Sequence, residues 1–133
     1  MDSQYFEQAN KYYKNGSYDE AIKNYKKSIA LKVNETQALY NIGVCFLKKS
    51  NYKNKKFLNL AIDFFHKTIE KESTHYMGLF NLAHTYDLLH NYKKAYLYIN
   101  RASLFNTQND PDCGRLLKKV TRQLINEIQL GEV

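Results

Sequence analysis

The sequence predicts an all-α fold in which three pairs of helices stack on one another and a further helix closes the stack. Two observations lead to this prediction. A pattern of small and large apolar residues recurs three times with a spacing of 34 residues, apart from one insertion. Within each copy the pattern follows positions i, i+3, i+4 and i+7, which share one face of a helix. A chain of 133 residues, 44% of them hydrophobic, is large enough to bury the core of one such domain.

The first helix of each pair contains four recurring positions. They are occupied, copy by copy, by Tyr5, Leu39 and Leu79, then by Gln8, Ile42 and Leu82, then by the small residues Ala9, Gly43 and Ala83, and last by the aromatic residues Tyr12, Phe46 and Tyr86. A small residue lets two helix backbones approach each other, and the aromatic ring one turn later fills the space beside it. Gln8 is the polar exception in its column.

The second helix of each pair has an alanine, a large apolar residue four positions later and a small residue three positions after that. These residues are Ala21, Tyr25 and Ser28, then Ala61, Phe65 and Thr68, and then Ala95, Ile99 and Ala102. The same helical spacing predicts that they face the first helix of the pair.

Two kinds of connection are expected between the helices of a pair. Asn15 and Gly16 in the first pair, and His90 and Asn91 in the third, tolerate the left-handed backbone that ends a helix. In the second pair, six extra residues lie between Phe46 and Ala61. Because the columns keep their spacing on both sides, we expect these residues to lengthen the hairpin, chiefly at the start of its second helix.

Residues 110–133 do not repeat the pattern and are expected to form a capping helix. Asp110, Pro111 and Asp112 have the composition of a helix start. One face is predicted to be apolar and buried, with Leu116, Leu117, Val120, Leu124 and Ile128. The opposite face is predicted to be polar, with Lys118, Lys119, Arg122, Gln123 and Asn126. We expect a single domain, residues 1–133, with repeats at about 2–35, 36–75 and 76–109 and the cap at about 111–130.

The stretch KYYKNGSYDEAIKNYKKSI, residues 11–29, resembles the average sequence of the tetratricopeptide repeat family. The resemblance covers residues 2–109 in three copies. It lacks the prolines that end the family's repeats, since Val33, Ser73 and Thr107 stand there. The resemblance implies a right-handed superhelical solenoid, in which the first helix of each pair lines a concave groove. It further implies a module that binds other proteins in that groove.

The groove positions implied by the family are the candidate partner-binding residues. They are Phe6, Asn10, Tyr13, Lys14, Tyr40, Asn41, Val44, Lys48, Met77, Phe80, Asn81 and His84. Asparagine side chains carry both donors and acceptors and are suited to hold a peptide backbone, while aromatic rings are suited to hold apolar side chains. The alternative is that tyrosine followed by asparagine only reflects the family's average sequence.

One kind of partner is not expected. Family members that grip the C-terminal carboxylate of heat-shock chaperones use lysine, asparagine, asparagine, lysine and arginine at five groove positions. The corresponding residues here are Phe6, Asn10, Asn41, Met77 and Asn81. The cations that would bind a carboxylate are missing from this set.

The stretch KKSNYKNKKF, residues 48–57, forms a basic patch of Lys48, Lys49, Lys53, Lys55 and Lys56. It is either a docking site for an acidic partner or a phosphate backbone, or a solvated surface, and the second interpretation is favoured. The net charge of +7 comes from 17 lysines and three arginines against 13 acids. Lysine without interleaved arginine reads bases poorly, so a nucleic-acid partner is not expected.

No motif predicts catalysis, a metal site or a cofactor. The four histidines lack metal-ligand spacing, and Cys45 and Cys113 are expected to be reduced and buried. Residues 1–14 are too polar for a secretory signal and no apolar run could span a membrane, so a cytoplasmic location is expected. The sequence predicts a non-enzymatic module that binds a peptide or helix of another protein. The alternatives are a self-associating scaffold, as a homodimer, and a basic nucleic-acid-binding accessory protein.

Overall fold

The computed structural model describes residues 3–131 and contains seven α-helices. They are α1 (Gln4–Lys14), α2 (Tyr18–Ala30), α3 (Glu35–Lys49), α4 (Lys55–Lys71), α5 (Tyr76–Leu88), α6 (Tyr92–Ser103) and α7 (Pro111–Gln129). No strand occurs among these residues. Three helical hairpins and a final helix are therefore present, and the predicted all-α fold class is confirmed. None of the seven helices has the length and apolar character needed to cross a membrane.

The chain divides into two compact units between Ser73 and Thr74. In the first unit, α1 packs against α2, α2 against α3 and α3 against α4. In the second unit, α5 packs against α6 and α6 against α7. The prediction of a single domain over residues 1–133 stays a prediction.

The core of each hairpin is made by the columns of small and large residues. Ala21, Ala61 and Ala95 are fully buried, as are Phe65 and Ile99, and Tyr25 is 1% exposed. Gln8 is exposed, whereas Ile42 and Leu82 in the same column are fully buried. The polar exception is thus a residue that lies outside the core and in contact with solvent.

The short turns have the backbone that the sequence predicts. Gly16 has φ of +77° and His90 has φ of 60°, both in the left-handed region. Asn91 then caps α6, because its side chain accepts a hydrogen bond from the backbone N–H of Lys94 at 3.3 Å. Asp110 caps α7 in the same way and accepts from the N–H of Asp112 at 3.0 Å.

The six extra residues of the second hairpin are spread over three places. Helix α3 ends one residue later, relative to Gly43, than α1 and α5 end relative to their small residues. The connection over residues 50–54 is two residues longer than the other two hairpin turns. Helix α4 begins three residues earlier relative to Ala61 than α2 and α6 begin relative to their alanines. The largest share lies at the start of the second helix, as predicted.

The capping helix departs from its predicted pattern near its C-terminus. Leu116 and Val120 are buried, but Ile128, which was expected on the same buried face, is 56% exposed. Helix α7 has 19 residues and α6 has 12, so the last turns of α7 extend beyond the helix that it packs against. The prediction of one continuous buried face was wrong at Ile128, and the solvent side of α7 is less polar than expected.

Candidate partner-binding cleft

A cleft of about 320 Å³ lies between α1 and α3 in the first unit. Residues of three helices line it, and Tyr25 of α2 is among them. The lining residues are Asn10, Tyr13, Lys14, Tyr25, Tyr40, Asn41 and Val44. All of these except Tyr25 were predicted from the sequence as partner-binding residues. The structure thus brings six predicted residues together, while their role in binding stays a prediction.

A hydrogen-bonded network joins the amides at the cleft. The Tyr25 hydroxyl donates to Oδ1 of Asn10 at 2.5 Å and accepts from Nδ2 of Asn41 at 3.2 Å. Nε2 of Gln37 donates to Oδ1 of Asn41 at 3.0 Å. These bonds fix the orientation of both asparagine amides. Because an amide has two N–H donors and two lone pairs, each asparagine keeps hydrogen-bonding capacity for a ligand.

Tyr25 is the central residue of this network, and the sequence did not single it out. Its ring packs edge-on against Phe6, with ring centroids 5.7 Å apart. Burial raises its pKa to about 12, so the hydroxyl keeps its proton at neutral pH and remains the donor to Asn10. The equivalent residues, Phe65 and Ile99, have no hydroxyl, so the first hairpin is the one that can form this network. The feature of the sequence that could have identified Tyr25 is its hydroxyl, because the other two residues of its column, Phe65 and Ile99, are purely apolar.

The walls of the cleft include two aromatic rings, Tyr13 and Tyr40, and each packs against another aromatic ring. Tyr40 packs against Phe65, with centroids 5.9 Å apart, and Tyr13 packs against Tyr18 at 5.7 Å. Burial raises the pKa of Tyr13, and the charge of Lys48 partly offsets this effect. The apolar surface offered to a ligand is therefore held in place before binding, which reduces the entropy lost when a ligand binds.

Of the six remaining predicted groove residues, four lie on α5 in the second unit, whereas Phe6 lies on α1 and Lys48 on α3. The ring of Phe80 lies between those of Tyr76 and His84, at centroid distances of 6.0 and 6.5 Å. Burial lowers the pKa of His84. Met77 is 40% exposed and, with Tyr76, lines a separate pocket of about 470 Å³ beside the α6–α7 connection. Asn81 is also on α5. A continuous row of aromatics or amides over all three hairpins stays a prediction.

The structure contains a buried carboxylate, Asp87, whose burial was not predicted from the sequence. The side chain of Asp87 is 2% exposed, and its Oδ2 lies 2.7 Å from Nζ of Lys119 on α7. Its Oδ1 is buried and has no hydrogen-bond partner within residues 3–131. The carboxylate also opposes the lowering of the His84 pKa. This ion pair links α5 to the capping helix. A lone acid in an apolar helix was its signal in the sequence.

The five lysines of the basic patch fall into two groups in the structure, one partly buried lysine and four exposed ones. Lys49 forms an ion pair with Asp19, and its Nζ lies 4.6 Å from the ring centroid of Phe57. Its side chain is 24% exposed and connects α3 to α2 and α4 within the first unit. The other predicted members are exposed: Lys48, Lys53, Lys55 and Lys56. Their role as a docking site stays a prediction.

Residues 3–131 contain no group of three or more histidine, cysteine or acidic side chains that could hold a metal ion. Cys45 and Cys113 are free thiols and are buried. What the cleft provides is oriented amides, aromatic surface and one lining cation, Lys14.

The model of the tetratricopeptide repeat (TPR) family matches residues 9–50. This segment spans residues 9–14 of α1, all of α2 and α3, and every residue that lines the cleft. The resemblance recognised in the sequence is therefore confirmed. A comparison with curated protein sequences gave no match.

Solved structures of TPR domains share the fold. The first TPR of Spaghetti (RPAP3), bound to the HSP90 peptide SRMEEVD, is 18% identical, with 93% of each chain covered and a TM-score of 0.79. The TPR2B domain of yeast Sti1, in a complex with pHsp70, is 16% identical, with 92% of this chain and 97% of that chain covered and a TM-score of 0.78. The TPR domain of Arabidopsis OM64 is 16% identical, with 91% and 94% covered and a TM-score of 0.76. This chain therefore has the helical-solenoid fold of TPR domains.

Proposed function

We propose that this chain is a non-enzymatic protein-interaction module that binds an extended or helical segment of another protein in the cleft between α1 and α3. The observation that carries the proposal is the network of Asn10, Tyr25 and Asn41, placed beside supported aromatic walls. The fold agrees with this, because two TPR domains of the same fold were solved with bound peptides. A cytoplasmic location is part of the proposal.

The cleft favours a particular chemistry in its ligand. The fixed amides of Asn10 and Asn41 suit a backbone C=O and N–H, and the rings of Tyr13 and Tyr40 suit an apolar side chain. Helix-in-groove and extended peptides both present such groups. Lys14 is the one cation among the lining residues, so an acidic residue of the ligand is expected at that end. A terminal carboxylate is not required.

The test is capture of partners from the cells that make this protein, followed by measurement of the affinity of the purified partner for defined variants. Asn41→Ala should weaken binding about fivefold, because one net hydrogen bond contributes about 1 kcal/mol. Asn59→Ala is the matched control, since Asn59 is an exposed asparagine of α4 outside the cleft.

Folding must be separated from binding in this test. In Asn41→Ala the Tyr25 hydroxyl still has Asn10 as its acceptor, so the fold should be kept. Tyr25→Phe removes the network without leaving a buried hydroxyl unpaired, and it should weaken binding in the same direction. A partner that binds Asn41→Ala and Tyr25→Phe at full affinity, but is lost when Lys48, Lys53, Lys55 and Lys56 become glutamine, would place the site on the basic patch.

A further inference from the structure

Helix α7 has a second apolar stripe besides the one that packs in the core. Leu117, Thr121, Ile125 and Ile128 follow one another at four, four and three residues, so they share one face of the helix. Leu117 and Thr121 are half-buried, while Ile125 is 48% and Ile128 56% exposed. A shallow furrow of about 380 Å³ runs along this face, lined by Leu117, Lys118, Thr121, Arg122, Ile125 and Asn126.

This stripe is distinct from the face that packs in the core of the second unit. The buried residues of α7 are Cys113, Leu116 and Val120. Thr121 follows Val120 directly, so it points about 100° away around the helix axis. Ile125 and Ile128 lie on the same side of the helix as Thr121, away from the buried face. No helix among the described residues buries Ile125 or Ile128, and a contiguous apolar surface in contact with solvent is typical of a contact site.

The charge beside the furrow indicates what covers it. Lys118 and Arg122 lie one turn apart on the same edge, and both are exposed. Asp112, at the start of α7, is paired with Arg115. The edge of the furrow is therefore positively charged, and a molecule with acidic groups opposite this edge would bind there most favourably.

The same charge argument makes a second copy of the chain an unfavourable ligand for the furrow. An antiparallel pairing of two α7 helices about a two-fold axis places equivalent edges side by side. Lys118 and Arg122 of one copy would then face the same cations of the other. The chains would also repel each other through a net charge of +7 each.

We propose that the furrow on the outer face of α7 docks an amphipathic helix of a partner protein. The helix carries large aliphatic residues that contact Leu117, Ile125 and Ile128, and acidic residues opposite Lys118 and Arg122. This surface is separate from the cleft between α1 and α3: it lies in the other unit and selects for acidic charge and aliphatic surface rather than for backbone amides.

The experiment uses a designed peptide as the probe and measures fluorescence anisotropy with the full chain. The peptide has a helix-forming sequence with leucine at positions i, i+4 and i+8 and glutamate beside each leucine. One control peptide has lysine in place of glutamate, and another has serine in place of leucine. The acidic leucine peptide should bind, and both controls should bind at least about tenfold more weakly. Added salt should weaken its binding.

Variants of the chain locate the contact. Ile125→Ser and the double change Lys118→Gln with Arg122→Gln should each weaken binding of the acidic leucine peptide about tenfold. Lys26→Gln with Lys93→Gln removes the same charge from exposed positions elsewhere and should leave binding unchanged. Asn41→Ala, in the cleft, should also bind as the unchanged chain does.

Several results would overturn the proposal. If the double variant at Lys26 and Lys93 weakened binding as much as the double variant at Lys118 and Arg122, the peptide would be held only by general attraction to a basic chain. Loss of binding in Asn41→Ala would place the peptide in the cleft. Light scattering that shows a dimer, converted to a monomer by Ile125→Ser, would assign the furrow to a second copy. If Ile125→Ser proves misfolded by circular dichroism, the Lys118 and Arg122 variant decides, because both side chains are exposed.

Discussion

Gly43 of α3 lies directly against the ring of Phe65 on α4 in the second hairpin. A Cβ atom added there would lie 2.5 Å from Cε1 and 2.7 Å from Cδ1 of the Phe65 ring. In the other hairpins an alanine fills this position, and Tyr25 and Ile99 stand in the column of Phe65. The sequence predicted a small residue here from the column alone. The structure explains why the second hairpin needs the smallest one.

Gly43→Ala is therefore expected to destabilise the protein by about 1–3 kcal/mol, because the fully buried Phe65 ring has to move. Gly114→Ala is the matched control: that glycine is also helical, but an added Cβ would have nothing within 4 Å. It should stabilise the protein by about 0.5–1 kcal/mol through the helix preference of alanine. Thermal melting of both variants checks the pair, and a shift of the same sign in both would contradict the explanation.

The two thiols are expected to be unreactive in the folded protein. Cys45 is fully buried, and burial raises its pKa to about 12; burial also raises the pKa of Cys113. A raised pKa means less thiolate at a given pH, and the thiolate is the reactive form. At about pH 8 a chromogenic disulfide reagent should react only as fast as the chain unfolds. In denaturant both thiols should react at once. A rapid reaction of one thiol in native conditions would disprove this.

At the scale of the helices, the effect of deleting the insertion can be predicted by comparing how the second helix of each hairpin begins. Tyr18 and Tyr92 each stand three residues before the alanine of their helix, and Leu58 stands there in α4, 1% exposed. If residues 53–58 were removed, Tyr52 would take this position before Ala61. The connection would then have the length and sequence character of the other two turns.

Deletion of residues 53–58 should therefore give a folded protein of lower stability. The lost burial of Leu58 costs at most about 1.5–3 kcal/mol, part of which Tyr52 recovers. The stacking of Phe57 on Phe46, at 6.2 Å, is lost as well. Circular dichroism should show nearly the full helical signal, with a lower melting temperature. Deletion of residues 51–58 is the control, because it leaves the turn shorter than in either other hairpin, and it should lose much of the signal. A similar loss in the shorter deletion would refute the prediction.

The helices were predictable from the sequence wherever apolar spacing alone determines them. The columns predicted six helices, and the helix start at Asp110, Pro111 and Asp112 predicted the seventh. The same spacing overestimated the buried face of α7, because a periodic pattern does not say where the neighbouring helix ends. Ile128 has the right spacing but lies beyond the end of α6.

At the scale of the whole molecule, the features that could not be predicted from the sequence are contacts of polar side chains with residues far away along the chain. The Tyr25 hydroxyl joins two amides, Lys49 is held between an acid and an aromatic ring, and Asp87 is buried against Lys119. Each depends on the direction of a side chain across two or three helices. Residue type and spacing predict which residues face a cleft, but they do not predict which of them already bond to each other.

The contribution of α7 to the stability of the molecule is the last point that can be tested. Removal of every residue after Asn109 would uncover the face of α6 that packs against α7 and would remove Leu116 and Val120 from the core. The burial of these two α7 side chains alone is worth about 1.5–3 kcal/mol each, a large part of the stability of a small domain. The buried carboxylate of Asp87 would also lose Lys119. The shortened chain should melt at a much lower temperature and aggregate.

Truncation after Leu124 is the matched control, because it removes the exposed end of α7 and keeps Cys113, Leu116, Val120 and Lys119. Its melting temperature should stay close to that of the full chain, since Ile125 and Ile128 are about half exposed and contribute little to the core. Differential scanning calorimetry of the two truncations separates the buried part of α7 from its furrow. Equal melting temperatures for the full chain and the chain that ends at Asn109 would show that α7 does not act as a cap.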